Sequence, residues 1–256
     1  MKVTIAFIKK ELLEQVRTGK LLFVGMLFLL LGIMNPAVAK LTPWLLEVLA
    51  DSLAESGMTV TGVNVSAMDS WVQFFKNVPM GLIAFIVVEG GIFTKEYASG
   101  TLVLSLTKGL ARYKVVLSKT VVLLSLWSAG YFLCFGITYL YGDYFWDNSI
   151  AQNLGAAILF LWLFGVLVVA LLVLFSTLAS SSSGVLIGCG GVVLVSALLG
   201  ALPKIGKYLP TKLMDGNSLI YGTADADAYL GAFIVALSLS LLCIALSIPI
   251  FNRKRL

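Results

Sequence analysis

The sequence predicts an all-α, polytopic membrane protein with six transmembrane helices, and three observations predict it. Of the 256 residues, 59% are hydrophobic and 12% charged, against roughly 45–50% and about 25% in soluble domains. Mean hydropathy is +0.99. A soluble fold of this length has no interior large enough for that surplus of apolar surface, which must therefore face lipid. Second, apolar runs recur at about 21–39, 77–95, 115–140, 153–178, 184–202 and 229–250, each close to the ~20 residues that a membrane helix needs. None shows the period-2 alternation of barrel strands, so the runs are helical. Third, thirteen of the eighteen Lys and Arg residues fall in alternate connections. These are Lys2 to Lys20, Lys95 to Lys119, and Arg253 to Arg255. By the positive-inside rule these connections are cytoplasmic. Both termini then lie on that side, the span number is even, and residues 1–256 form a single transmembrane domain.

Residues 3–18 precede the first run. Ile5, Ile8, Leu12 and Val16 recur at helical spacing, while Lys9, Lys10, Glu11, Glu14 and Arg17 occupy much of the remaining surface. This is the pattern of an amphipathic helix in the cytoplasmic interface, its cations near anionic headgroups. Lys9, Lys10, Glu11 and Arg17 are also its candidates for contacting a cytoplasmic partner. Ala37-Val38-Ala39 resembles a signal-peptidase site, but some twenty residues, including Lys9, Lys10, Glu11 and Glu14, precede the apolar run. That is too long for the basic region of a signal peptide, so the run reads as an uncleaved first span.

The first outer loop, about 40–72, carries Leu41, Leu45, Val48, Leu49 and Leu53 on one helical face, with Trp44 and Trp71 suited to interfacial belts. The second, Tyr139 to Trp146, is aromatic and reads as an interfacial girdle. The fifth run holds Gly184, Gly188, Gly190, Gly191, Ser196 and Gly200, a spacing that lets helices approach closely in lipid.

Several chemistries are disfavoured. The chain has no His, the commonest metal ligand and general base. Cys134, Cys189 and Cys243 all lie inside apolar runs and read as packing residues. The net charge of +5 comes from loop cations that topology explains, so no nucleic-acid partner is expected. Catalytic, cofactor-binding and metal-ligating residues are expected to be absent.

The informative stretch is Thr94 to Arg112. Span two leaves the bilayer at Lys95-Glu96. Gly100 permits a sharp bend, Ser99 or Thr101 can cap a new helix, and Leu102, Val103, Leu104 and Leu106 form a short apolar piece closed by Gly109. The spacing predicts a stub helix over about 97–108, presented like a peg at the cytoplasmic face, and apolar surface of that sort marks an interaction site. Glu89 is the one carboxylate inside a span, seven residues before Glu96 and so on roughly the same face. Intramembrane charges are costly, which makes Glu89 a candidate for gating or for the substrate path. Structural pairing, for instance with Lys95, is the alternative.

Lys95-Glu96-Tyr97-Ala98-Ser99-Gly100-Thr101-Leu102, followed by Leu106-Thr107-Lys108-Gly109-Leu110-Ala111-Arg112, resembles the permease subunits of type-2 ABC exporters. That group includes multidrug, peptide and bacteriocin-immunity exporters, and its recurring pattern is Glu-(Lys/Arg)-Glu-x-Gly-Thr-Leu, then Leu-Thr-Lys-Pro-(Leu/Val)-Ser-Arg. Lys9-Lys10-Glu11-Leu12 to Arg17-Thr18-Gly19-Lys20 resembles the same family's elbow helix, and Met34 to Lys40 its exit from span one. Gly109 stands where the family usually has Pro, and Tyr97-Ala98 replaces a charged and variable pair.

The resemblance implies a bacterial plasma-membrane permease that pairs with a second permease subunit, as homodimer or heterodimer, and binds a cytoplasmic ABC ATPase. The stub would be the coupling helix, with Glu96, Ser99, Gly100, Thr101, Leu102, Leu106, Thr107 and Arg112 as its coupling residues. ATP and Mg would sit in the ATPase, since this chain has no G-x-x-x-x-G-K-[ST] motif. Export of a hydrophobic or amphipathic cargo, such as a peptide, lantibiotic-like toxin or drug, follows by the same resemblance. The alternatives are a secondary transporter, for which no internal repeat is visible, and a non-transporting scaffold or sensor. An intramembrane enzyme would need a polar dyad that Glu89 alone does not supply.

Overall fold

A computed structural model describes residues 2–49, 64–107 and 109–254. The described elements are helical: α1 Lys2–Arg17, α2 Lys20–Val48, α3 Ala67–Glu89, α4 Thr94–Ser99, α5 Thr101–Thr107, α6 Arg112–Phe145, α7 Leu154–Leu178, α8 Ser182–Gly200, α9 Pro203–Gly206, α10 Gly216–Ile220 and α11 Leu230–Arg253. Short 3-10 turns lie between them. Six helical stretches are long and apolar enough to cross a membrane: α2, α3 with α4, α6, α7, α8 and α11.

Several spans are longer than their apolar runs, α2 and α6 among them. At about 1.5 Å per residue, α2 covers about 43 Å and α6 about 51 Å, beyond the ~30 Å hydrocarbon core. Leu41, Leu45 and Val48, expected on one helical face of the first outer loop, lie at the end of α2, which runs through Pro36 and Pro43, and Leu49 is its C-cap. Leu53, with the rest of 50–63, lies outside the described residues. Pro36 removes the N–H that would have bonded the Gly32 carbonyl. The Thr138 hydroxyl of α6 lies 3.3 Å from that carbonyl and 2.9 Å from Cys134 O, and it accepts from Asn35 Nδ2 at 3.0 Å. Asn77 Nδ2 donates to Asn35 Oδ1 at 2.9 Å. A side-chain chain from α3 through α2 to α6 therefore compensates the break.

The core forms around α7, which is buried on nearly every side against α6, α8 and α11. Close approach is set by small residues facing rings. A side chain on Gly165 would meet the Trp127 indole at 2.0–2.6 Å, and one on Gly188 would meet the Phe175 ring at 2.3–2.7 Å. Buried ring hydroxyls and indoles bond helix carbonyls: Tyr131 Oη to Ile158 O at 2.7 Å and Trp127 Nε1 to Trp162 O at 3.2 Å. By contrast α8 buries only Val185 and Cys189 among its side chains. Gly190 and Gly191, read from the sequence as close-approach residues, have no neighbour within 4 Å of an added Cβ.

The stub differs from a single helix over 97–108. It is two helices, α4 and α5, meeting at Gly100, whose φ of +67° suits a residue without Cβ. Lys108 lies outside the described residues, and Gly109 has a φ of +88°.

Candidate functional site: the junction of α1, α4 and the span ends

The Lys/Arg-rich ends of the spans converge on α4. Helix α3 stops at Glu89 because Gly90 and Gly91 open a turn, and α4 starts again at Thr94. Glu96 on the first turn of α4 is nine-tenths buried and ion-pairs with Lys10 Nζ at 2.5 Å and Lys119 Nζ at 2.9 Å. Lys119, from the start of α6, is 1% exposed. It donates to Glu11 Oε2 at 2.7 Å and to the Ile92 carbonyl at 3.0 Å, besides its ion pair with Glu96. Phe7 and Phe93 lie over the ammonium at 6.0 and 5.4 Å.

Lys10 completes the cluster by bridging Glu11 at 3.0 Å, Glu14 at 2.9 Å and Glu96. Burial works against its charge, but hydrogen bonds to Glu96 and Glu14 and the field of Glu11 outweigh it and raise its pKa. Carboxylate oxygens of Glu11, Glu14 and Glu96 lie within 4.8 Å of one another, close enough to hold a metal ion. The Lys10 ammonium already takes the place among them that a cation would fill.

A second cluster lies on the other side of the Gly90–Phe93 turn. Glu89 is fully buried, accepting from Gln15 Nε2 at 2.9 Å and Lys20 Nζ at 3.1 Å. Glu89 Oε1 and Gln15 Oε1 have no hydrogen-bond partner. Glu89 thus faces α1 and the start of α2. It does not line the apolar groove of about 430 Å³ between α3, α7 and α8, which is walled by residues such as Leu82, Ile83, Ile86, Gly190 and Leu194.

The inward face of α1 is consequently Phe7, Glu11 and Gln15, at spacing i, i+4, i+8. On this helix Ile5, Leu12, Leu13 and Val16 are exposed, and the acid Glu11 points into the protein. The exposed apolar residues suit a helix lying in lipid, and the buried acid is stabilised because Lys119 and Lys10 meet it. Of the candidate elbow residues, Lys9 and Arg17 are exposed, whereas Lys10 and Glu11 are engaged within the chain.

The opposite side of α4 is aromatic. Tyr97 Oη donates to Ser176 O at 3.0 Å, its ring stacks on Phe251 at 6.4 Å, and Lys254 Nζ lies 4.3 Å above it. Lys254 donates to Thr177 O and Ala179 O, at 3.0 and 2.6 Å, and so caps the end of α7. Burial lowers its pKa. Arg112 Nη1 does the same for α11, reaching Phe251 O, Asn252 O and Lys254 O at 2.9, 3.1 and 2.7 Å. Thr94 Oγ1 and Ser182 Oγ, 2.8 Å apart, tie α4 to the start of α8.

The sequence-derived coupling residues therefore divide. Glu96, Leu102 and Arg112 are engaged inward, Leu102 being 1% exposed, and Leu106 packs partly against the core. Ser99, Thr101, Val103 and Thr107 form the outward surface, with Gly100 between them half-buried. Of the expected apolar peg, Leu102 and Leu106 turn onto the spans and Val103 is exposed, while the side chain of Leu104 lies outside the described residues. Lys119, Tyr97 and Lys254 were not singled out as site residues by sequence reasoning. A lysine seven residues into a span-forming helix was the available signal for Lys119, since a charge at that depth demands a partner.

The fold and the junction together define a multi-pass helical membrane subunit in which a short bent segment at the basic end contacts most of the spans. Residues 5–215 match the family model described as ABC-2 family transporter protein. The chain belongs to the ABC-2 transporter family, as a membrane subunit without an ATP-binding motif of its own. It is also 23% identical over 259 residues to an uncharacterized transmembrane protein, YxlG, of Bacillus subtilis (strain 168), covering 96% of this chain and 94% of that one.

Proposed function

We propose that the chain is the permease of an ATP-driven exporter, its basic end cytoplasmic and its α4–α5 segment docked on a separate ABC ATPase that carries the ATP and Mg. The observation that carries this is the position of α4. It is joined by Glu96 to α1 and α6, by Tyr97 to α7 and α11, and by Thr94 to α8. A push on α5 is therefore delivered to nearly every span, which is what conversion of ATP-driven closure into alternating access requires.

Ser99, Thr101, Val103 and Thr107 make the ATPase contact, and Gly100 allows the bend between the two short helices. Glu96, Leu102, Leu106 and Arg112 hold the segment to the spans. Lys9 and Arg17 on the exposed side of α1 meet anionic headgroups. A second permease subunit pairs with this one. Outward export of a hydrophobic or amphipathic cargo follows from the likeness to peptide and multidrug exporters and from the apolar groove beside α8.

Affinity purification from mild detergent tests the reading. The wild-type chain is expected to bring down a soluble ATPase in stoichiometric amount, and Gly100→Val to lose ATP-dependent function while still inserting. Purification without an ATPase would exclude the proposal in favour of a secondary transporter or scaffold.

A further inference from the structure

We propose that Lys119 is the positioning residue of the coupling segment: it locks α1, the Gly90–Phe93 turn and α4 to the start of α6 so that they move as one body. The inference rests on the permease reading and extends it to a residue outside the coupling motif.

Lys119 is buried on all sides, and its ammonium joins three parts of the junction: it donates to Glu11 on α1 and to the Ile92 carbonyl in the turn, and it ion-pairs with Glu96 on α4 at 2.9 Å. A buried ammonium between two carboxylates is held strongly in place, because in a low-dielectric site separating it from them leaves charges uncompensated. The neighbouring Glu89 cluster is less enclosed, because its cation Lys20 is 16% exposed whereas Lys119 is 1% exposed. A displacement of α4 is accordingly passed by Lys119 directly to α1, the turn and α6.

The test uses the complex with its co-purified ATPase in nanodiscs, with Cys134, Cys189 and Cys243 replaced by Ala and a reporter Ala197→Cys on exposed α8. The labelling rate with a membrane-impermeant maleimide is measured with and without MgATP and vanadate. In the parent the rate is expected to change several-fold on trapping. Lys119→Gln is expected to erase that change while ATP hydrolysis by the bound ATPase stays within about 2-fold, and Lys119→Arg to restore it. Because Lys119→Gln leaves Glu11 and Glu96 facing each other, Glu11→Gln/Lys119→Gln serves as a second, charge-balanced variant with the same expected loss. Nucleotide-dependent labelling in both Gln variants equal to the parent would overturn the positioning role. Absence of any ATPase in the parent preparation would instead overturn the permease reading on which it stands.

Discussion

Gly100 is the residue where backbone conformation bears most directly on the proposed docking segment. Its φ of +67° with open space around it means that a substitution there is opposed by conformation alone, about 1–2 kcal/mol for an L-residue and more for a β-branched one. Gly100→Ala should retain most ATP-dependent function and Gly100→Val little, with equal membrane yields, as judged by activity against quantified protein. Glu89 presents the other kind of residue-scale constraint. Removing its charge takes away the carboxylate that Lys20 ion-pairs with, and breaking a buried pair costs up to about 3–5 kcal/mol. Lys20, 16% exposed, can turn to solvent, so Glu89→Gln is expected near the lower end, about 1–3 kcal/mol, read as a fall in thermal unfolding temperature in detergent. Glu89 and Lys119 share a lesson about what a sequence reveals. That each charge at membrane depth needed a partner was legible. Which partner was not, because Glu11, Gln15 and Lys20 are distant in the chain and only the docking of α1 brings them there.

Helices α4 and α8 behave differently although both carry small and polar residues. In α4, Tyr97 departs from the family's usual residue, and it supplies the tie to α7 and α11. Tyr97→Phe should keep the stacking on Phe251 and the Lys254 contact and lose about 1 kcal/mol for the bond to Ser176 O. Tyr97→Ala should cost roughly 2–4 kcal/mol, and limited proteolysis of the Gly100 bend would report the loosened α4. In α8, the glycines read as one close-approach stripe from the sequence split into two classes. Gly188→Leu would drive a side chain into Phe175 and destabilise by about 1–3 kcal/mol, whereas Gly190→Leu enters open space and should be near neutral in the isolated subunit. Thermal unfolding of the two variants side by side separates them. Periodicity placed these glycines on a helix correctly, yet it carries no record of which neighbour stands opposite each one.

For the whole molecule, orientation is the property most exposed to test. With the basic end cytoplasmic, Ser149→Cys in the loop between α6 and α7 should react with an impermeant maleimide in intact cells, and Ser99→Cys only after permeabilisation. The reverse pattern would invert the topology read from the Lys and Arg distribution. Composition, run length and charge bias determined the membrane class, the span number and the orientation expected, because each depends on additive properties of local segments: transfer of apolar groups into lipid and retention of cations on one side. The motif from Glu96 to Arg112 determined which family to expect. Only the tertiary structure decided that α7 is the buried hub and α8 the exposed span, since all six spans are apolar enough for either position. It alone decided that α1 turns an acid inward, and that α4 is held by Lys119, Tyr97 and Lys254. Those outcomes follow from long-range pairing of buried charges and rings, where the energy of a residue is set by what folding places beside it and not by its neighbours in the chain.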